Sequence, residues 1–401
     1  MHGPLHSDDA VTRVMHGQPV DFVPVALAYE NLGPLQYLRT EMWWQAWERQ
    51  LDRAGTDVLP VDYETYLSQE LEIETEILRD IYRRPAWVAL RRNQTADEIR
   101  GSMIVRRGGE LFWADAGGEE RQIPRTLEGR EAEVGARWSD LWERDGGADA
   151  LDRAAAGPPN AGAQEPAPAE VEALVASQTY DLAKRLAARF PDELPQYVFT
   201  STPYNTLPFT LGFRTFMLAL TEEPAKLHRA LAAQLPRPSA RLAAERRLGI
   251  TLMHVEACLA SADIISPRMY EEFGLQYDEP TLRFYEDAGF RTMLYFSGNL
   301  MPLLDRLKRL PFTALAFEED RKGYGIDLAQ VRRALGPDRV IFGNMDALFV
   351  ERATDEELLA EVRRQISAAG RHNFILSLGS PLTPRTSLER VRLVTESTRR
   401  I

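Results

Sequence analysis

Short apolar runs recur along the chain, each bounded by turn residues and separated from the next by a stretch with helical periodicity. Eight stand out: Val23 to Tyr29, Asp57 to Tyr63, Gln196 to Pro203, Thr251 to Cys258, Arg291 to Gly298, Thr313 to Asp320, Arg339 to Asp346 and Asn373 to Ser380. They are short, rich in Val, Ile, Leu and Phe, and do not alternate strictly with polar residues, which is the pattern of strands buried on both faces. Helical stretches between them make a strand–helix rhythm and predict a parallel sheet. Eight such units favour closure into a ring, so the expected fold class is α/β, a (β/α)8 TIM barrel.

Helix-end signals agree. Thr354-Asp-Glu-Glu357 reads as a capping box, with Gly370 as the stop of the same helix. Thr386-Ser-Leu-Glu389 repeats the device before the last helix, and Ser266-Pro267 places a cap residue ahead of a proline at the first helical position. The rhythm breaks between the second and third runs. Ile99 to Arg107 and Glu110 to Ala116, joined by Gly108-Gly109, read as a β-hairpin, and the Ala/Pro/Gly-rich stretch Ala154 to Ala169 reads as a mobile surface linker. Residues 84–169 are therefore expected to be an insertion on one barrel domain spanning 1–401.

Composition narrows the setting. The 401 residues are 44% hydrophobic and 27% charged, an ordinary globular balance. A net charge of −12, with the basic residues scattered as pairs among acids, argues against a nucleic-acid partner. No apolar run is long enough for a signal peptide or a membrane span. A single cysteine, Cys258, permits no internal disulfide, so a reducing cytoplasm is the expected location.

In a barrel of this kind the chemistry sits at the carboxyl ends of the strands. That rule selects Asp62, Tyr204, Asn205, His254, Glu256, Cys258, Tyr295, Ser297, Glu318, Glu319, Asp346 and Ser380. His254-Val-Glu256-Ala-Cys258 puts imidazole, carboxylate and thiol at period two on one strand face, a donor set that suits zinc. The first and third of these lie about 13 Å apart along a strand, however, too far for one ion to reach all three easily. The other reading is a polar inward layer that binds substrate. Tyr295 and Ser297 share a face and could orient or protonate a substrate, though a packed tyrosine fits equally well. Of Glu318 and Glu319, adjacent on a strand, only one can face the barrel mouth. Phosphate-loop, dinucleotide-fold, H-E-x-x-H and nucleophile-elbow motifs are absent.

Several segments of the C-terminal half resemble the uroporphyrinogen decarboxylase superfamily, which also contains methyltransferases that move methyl groups between corrinoid proteins and thiols. They are Thr202 to Gly212, Ile265 to Phe273, Phe296-Ser-Gly-Asn299, Ile326-Asp-Leu328, Gly343-Asn-Met-Asp346 and Leu376 to Pro384, and near the N-terminus Gly17 to Pro24 looks like the family's opening strand. The resemblance implies a (β/α)8 barrel and often a homodimer. It also marks departures. The methyltransferases hold zinc with His-x-Cys on the fifth strand and a cysteine after the eighth, where this chain has Tyr295-x-Ser297 and Ser380. The decarboxylases carry an arginine-rich segment after the first strand, where this chain has Ala28-Tyr-Glu-Asn-Leu32, a tyrosine where Phe209 aligns and a histidine where Ser380 aligns. Asp62 stands as the counterpart of their acid after the second strand, and Glu256 matches an acid common at its place in the family.

The expected function is a decarboxylase-like carbon–carbon lyase on a small carboxylated molecule other than uroporphyrinogen. Asp62, Glu256, Tyr295 and Asp346 are its expected catalytic residues, and Tyr204, Asn205, His254, Ser297, Glu318 and Ser380 bind the substrate. No cofactor is expected; zinc at His254, Glu256 and Cys258 is the alternative to that. The rival functions are methyl-group transfer with a rewired metal site and a catalytically inactive binding barrel. The expected partner is a small-molecule carboxylate, without nucleic acid or membrane, and the protein could form a homodimer.

Overall fold

A computed structural model describes residues 9–27, 34–81, 88–125, 149–156, 165–191, 193–320, 323–383 and 385–399. Eleven strands lie among them: β1 (Val58–Pro60), β2 (Val88–Ala89), β3 (Met103–Arg107), β4 (Glu110–Ala114), β5 (Glu120–Ile123), β6 (Gln196–Ser201), β7 (Leu252–Ala257), β8 (Arg291–Phe296), β9 (Ala314–Phe317), β10 (Val340–Phe342) and β11 (Phe374–Ile375). Seven of them form a parallel sheet in the order β11-β10-β9-β8-β7-β6-β2. From β6 to β11 each strand pairs with the next in the chain, and helices fill the connections. β9 and β10 are buried along their whole length and β7 and β8 along most of theirs, which explains their unbroken apolar runs. The segment around Val25 joins the β11 edge through a parallel bridge to Leu376, fixed by Ala26 N donating to Leu376 O and Leu376 N donating to Pro24 O, each near 2.9 Å.

The sheet is curled, and one side chain measures the curl. The Tyr295 hydroxyl on β8 donates to the Gly379 carbonyl just past β11 at 2.7 Å. In a flat sheet three strand spacings would separate the two strands by about 14 Å, beyond a tyrosine's reach. Alternate residues of these strands, among them Tyr197, Leu252, Met293, Ala316, Phe342 and Ile375, pack into one inner core. The helix Ala10–Met15 inserts Val11, Val14 and Met15 into the same core, and His16 Nε2 lies 3.0 Å from the Thr251 hydroxyl just before β7. This helix therefore closes the amino end of the curled sheet. The opposite residues of each strand pack outward against the helices in a second, larger core.

The second strand is not where the hydrophobic pattern put it. Of Asp57 to Tyr63 only Val58–Pro60 is extended, and it pairs antiparallel with β3 in a separate sheet ordered β1-β3-β4-β5. The place beside β6 belongs to Val88–Ala89, which lies inside the expected insertion 84–169. Two small apolar residues, one buried and one half-buried, next to a pair of arginines carry too little signal to register as a strand. The hairpin is present as Met103–Arg107 and Glu110–Ala114, its two-residue turn made by Gly108 and Gly109, both at positive φ as that turn type demands. The start of the linker is helical, since Ala150–Ala156 buries Ala154; residues 157–164 lie outside the described residues. The Thr354 capping box and the Ser266 cap are present, whereas the last helix is capped by Ser387 rather than Thr386. Among the described residues no helix is long and apolar enough to cross a membrane.

Candidate active site

Strand register places the inward-facing side chains in rows. Phe199, His254 and Met293 lie level across β6, β7 and β8; the next row toward the carboxyl ends is Ser201, Glu256 and Tyr295. His254 is almost fully buried, with its imidazole among the rings of Phe199 (5.2 Å), Tyr197 (5.6 Å) and Tyr295 (6.0 Å). Burial among apolar rings pushes it down to about 3, so it is neutral at physiological pH. One row above, burial alone pushes the Glu256 carboxyl up to about 7. A carboxylic acid half-protonated at neutral pH can give or take a proton under physiological conditions.

Beyond Glu256 the polar groups are tied to one another. Thr202 N donates to the Glu256 carbonyl, and Asn205 Oδ1 accepts from Cys258 N at 3.0 Å, so the first turn of the helix Pro203–Leu211 holds the end of β7 on both sides of the acid. Ser297 Oγ donates to the Cys258 carbonyl at 2.6 Å. Burial, with Glu256 nearby, pushes the Cys258 thiol well up, away from the reactive thiolate form. Glu318 accepts from Gly298 N at 2.9 Å and from the Tyr324 hydroxyl at 3.3 Å. Gly298 needs to be glycine: its φ is +80°, and a Cβ there would overlap Ser261 and Asp263. Glu319 is buried and accepts from Ser380 Oγ at 2.7 Å. Neighbours in sequence thus divide the work: Glu318 continues the inward set of Ala314 and Ala316, and Glu319 anchors the segment after β11.

The arrangement gathers His254, Glu256, Cys258, Tyr295, Ser297 and Glu318 along β7, β8 and β9, with Asn205 and Ser380 bracing them. Three expected residues stand apart. Asp62 is exposed and caps the helix Tyr63–Glu76, accepting from Thr65 N at 2.9 Å; those hydrogen bonds lower its carboxyl. It follows β1 of the antiparallel sheet rather than a strand of the parallel one. Tyr204 is fully buried in the outer core with its ring edge-on to Phe216, 4.8 Å away, and burial drives its hydroxyl upward. Asp346 caps the helix Ala347–Arg352 through Leu348 N at 2.7 Å and lines a side pocket of about 260 Å³ with Glu319, Asp320 and Arg364. The true second strand brings in a residue the sequence reading passed over. Arg91, two residues after Ala89, lies in an ion cluster with Glu74 (3.6 Å), to which Arg39 also binds. Its signal was the run Val88-Ala-Leu90 ahead of Arg91.

The zinc site that the resemblance implies for the methyltransferases of that superfamily does not fit these residues. At its positions stand hydroxyls already committed, Tyr295 to Gly379, Ser297 to Cys258 and Ser380 to Glu319. No group of three or more His, Cys, Asp or Glu side chains among the described residues converges as metal ligands would, the set His254, Glu256 and Cys258 included.

Comparison with known proteins follows the same outline. Residues 161–401 match the family model described as Uroporphyrinogen decarboxylase (URO-D). A protein of Crocosphaera subtropica named uroporphyrinogen decarboxylase is 27% identical over 141 residues; the match covers 34% of this chain and 37% of that protein, so this chain spans little more than a third of that relative's length. Among solved structures, a methyltransferase from Methanosarcina mazei superposes with a TM-score of 0.54 over 99% of both chains at 16% identity, a likeness of fold. A B12-independent methionine synthase from Shewanella sp. W3-18-1 is more distant, with a TM-score of 0.36 and 11% identity over 51% of this chain and 62% of that one.

Proposed function

The chain belongs to the uroporphyrinogen decarboxylase (URO-D) family, and from that premise we propose that it is a decarboxylase-like carbon–carbon lyase for a small carboxylated molecule other than uroporphyrinogen. The observation that carries the reading is Glu256, inward-facing at the end of β7 and brought to about 7 by burial alone. Loss of carbon dioxide breaks a C–C bond and leaves its electron pair on the substrate, in a π-system adjoining the cleaved bond. Glu256 in its acid form delivers the proton that makes the new C–H bond, and its carboxylate then regains a proton from water. The exposed ring of Phe199, packed against the buried and neutral His254, forms an apolar floor beneath it. A substrate carboxylate poised over that floor is poorly hydrated, which favours the charge-dispersed departing group over the ground state.

In this reading Tyr295 orients the substrate as a wall of fixed position, its hydroxyl held by Gly379, while Ser297, Glu318 and Asn205 shape the rim. Asp62, Tyr204 and Asp346 fall out of the machinery. The reading includes closure of the sheet into a full (β/α)8 ring, with the segment around Val25 opposite β2. It keeps the protein in the cytoplasm, with a small carboxylate as its partner and a homodimer as its assembly.

The test is release of carbon dioxide from a panel of carboxylic acids by the full chain. Turnover that disappears in Glu256→Gln while the variant still binds the acid supports the lyase. Methyl transfer is the rival, and zinc analysis of protein purified without added metal addresses it: stoichiometric zinc that is lost in Cys258→Ser would replace the lyase reading with a transferase.

A further inference from the structure

Phe199 breaks the rule that the inner face of the sheet is packed. Its ring lies 5.2 Å from His254 on that face, yet Phe199 is 51% exposed. The large inner-face neighbours Tyr197, Leu252, Met293, Tyr295 and Phe342 are all 4% exposed or less. Among the described residues five large apolar side chains stay prominently exposed; the other four are Val58 on the antiparallel sheet and Phe209, Leu218 and Leu348 on helices. Phe199 alone of them belongs to the parallel sheet, one row below Glu256. An apolar ring of this size left open to water at the floor of a reaction site is a surface awaiting a partner.

We propose that Phe199 sets the substrate class by stacking on a planar ring, so that the lyase proposed above takes a monocyclic or bicyclic arene- or heteroarene-carboxylic acid. The inference rests on the lyase reading for its chemistry but not for its recognition. The floor offers a π surface, the exposed ring of Phe199 backed by the buried, neutral His254, rather than a charge. Offset or edge-on contact with such surfaces favours a flat aromatic ring over a puckered saturated one of equal size. A ring stacked on Phe199 lies directly under the Glu256 row, where a ring carbon bearing the carboxylate can receive the proton.

The probes are benzoate, 4-hydroxybenzoate and indole-3-carboxylate, with cyclohexanecarboxylate as the saturated match in size and charge. Dissociation constants are measured on the full chain by calorimetry or saturation-transfer NMR. The expected result is that the best planar acid binds at least about tenfold more tightly than the saturated one. The ratio should fall to about 1 in Phe199→Leu and persist in Phe199→Tyr, with melting curves confirming that both variants fold. Equal affinities in the native protein, no binding of any planar acid, or a ratio unchanged in Phe199→Leu would overturn the inference. Carbon dioxide release is followed separately. Ring preference without release removes the lyase and leaves the ring subsite standing. Release from saturated acids at a rate indifferent to Phe199→Leu removes the ring subsite and leaves the lyase.

Discussion

Glu256 sits where a charge is costly and a proton is useful. Burial lifts its carboxyl from 4.5 to about 7, and strand register sets it above Phe199 and His254. As a general acid it works in its protonated form, so kcat is expected to be flat at low pH and to fall as pH rises through about 7. Glu256→Gln should lower kcat by about a hundredfold or more and erase that limb, with Kd for the acid little changed. A pH–rate profile whose upper limb survives the substitution would remove Glu256 from the chemistry. Asp62 makes the opposite case. It caps a helix, so Asp62→Ala should cost about 1 kcal/mol of stability through the lost bond to Thr65 N and leave kcat/KM as it was. Thermal melts and initial rates on one preparation check both halves.

Among the elements, the segment after β11 is held from two strands at once, by Tyr295 through the Gly379 carbonyl and by Glu319 through Ser380 Oγ. Gly379 runs so close to β9 that a Cβ there would overlap the Glu319 backbone nitrogen and its carboxylate. Gly379→Ala is therefore expected to destabilise the fold by roughly 1 to 3 kcal/mol and to detach Ser380 from Glu319. Tyr295→Phe, which removes only the hydroxyl, should cost about 1 kcal/mol and raise KM more than it lowers kcat. Denaturant melts and steady-state kinetics tell the two apart. The elements also show why part of the site was legible in the sequence. The runs of β7 to β11 are buried on both faces by sheet and helices, so long-range packing wrote itself into local composition, and His254, Glu256, Tyr295 and Ser297 could be placed on one face by counting in twos. The second strand could not be found this way. Val88–Ala89 is too short to show a pattern, while Val58–Pro60, on an unrelated antiparallel sheet, carried a pattern just as apolar. Asp62 was misplaced along with it. Tyr204 was misplaced for another reason: the helix after β6 turns it into the outer core, and nothing in a tyrosine's identity says which way the first helical turn will face.

At the scale of the molecule, three carboxyls among the described residues, in three different settings, are pushed up to about 7: Glu70 on the helix Tyr63–Glu76, Glu256 on β7 and Asp278 on the helix Gln276–Asp287. In each, burial is the largest cause, although Asp278 also accepts a hydrogen bond from the Tyr270 hydroxyl at 3.0 Å. Their ordinary values are 4.5, 4.5 and 3.8, so between about pH 4 and 7 the folded chain holds protons that the unfolded chain has released. The stability these groups contribute is complete below their unfolded values and is lost as pH rises through about 7. The protein should melt at a lower temperature at pH 8.5 than at pH 6, and the double variant Glu256→Gln, Asp278→Asn should flatten that slope; calorimetric scans at the two pH values decide it. The same large-scale view gives the helix Ala10–Met15 a kinetic meaning. With Val11, Val14 and Met15 packed into one end of the inner core, the ring proposed above would take in and release small molecules at its other end. Reactant and spent molecule then compete for one doorway, so accumulated product should slow the enzyme by plain obstruction, in proportion to how long it lingers there.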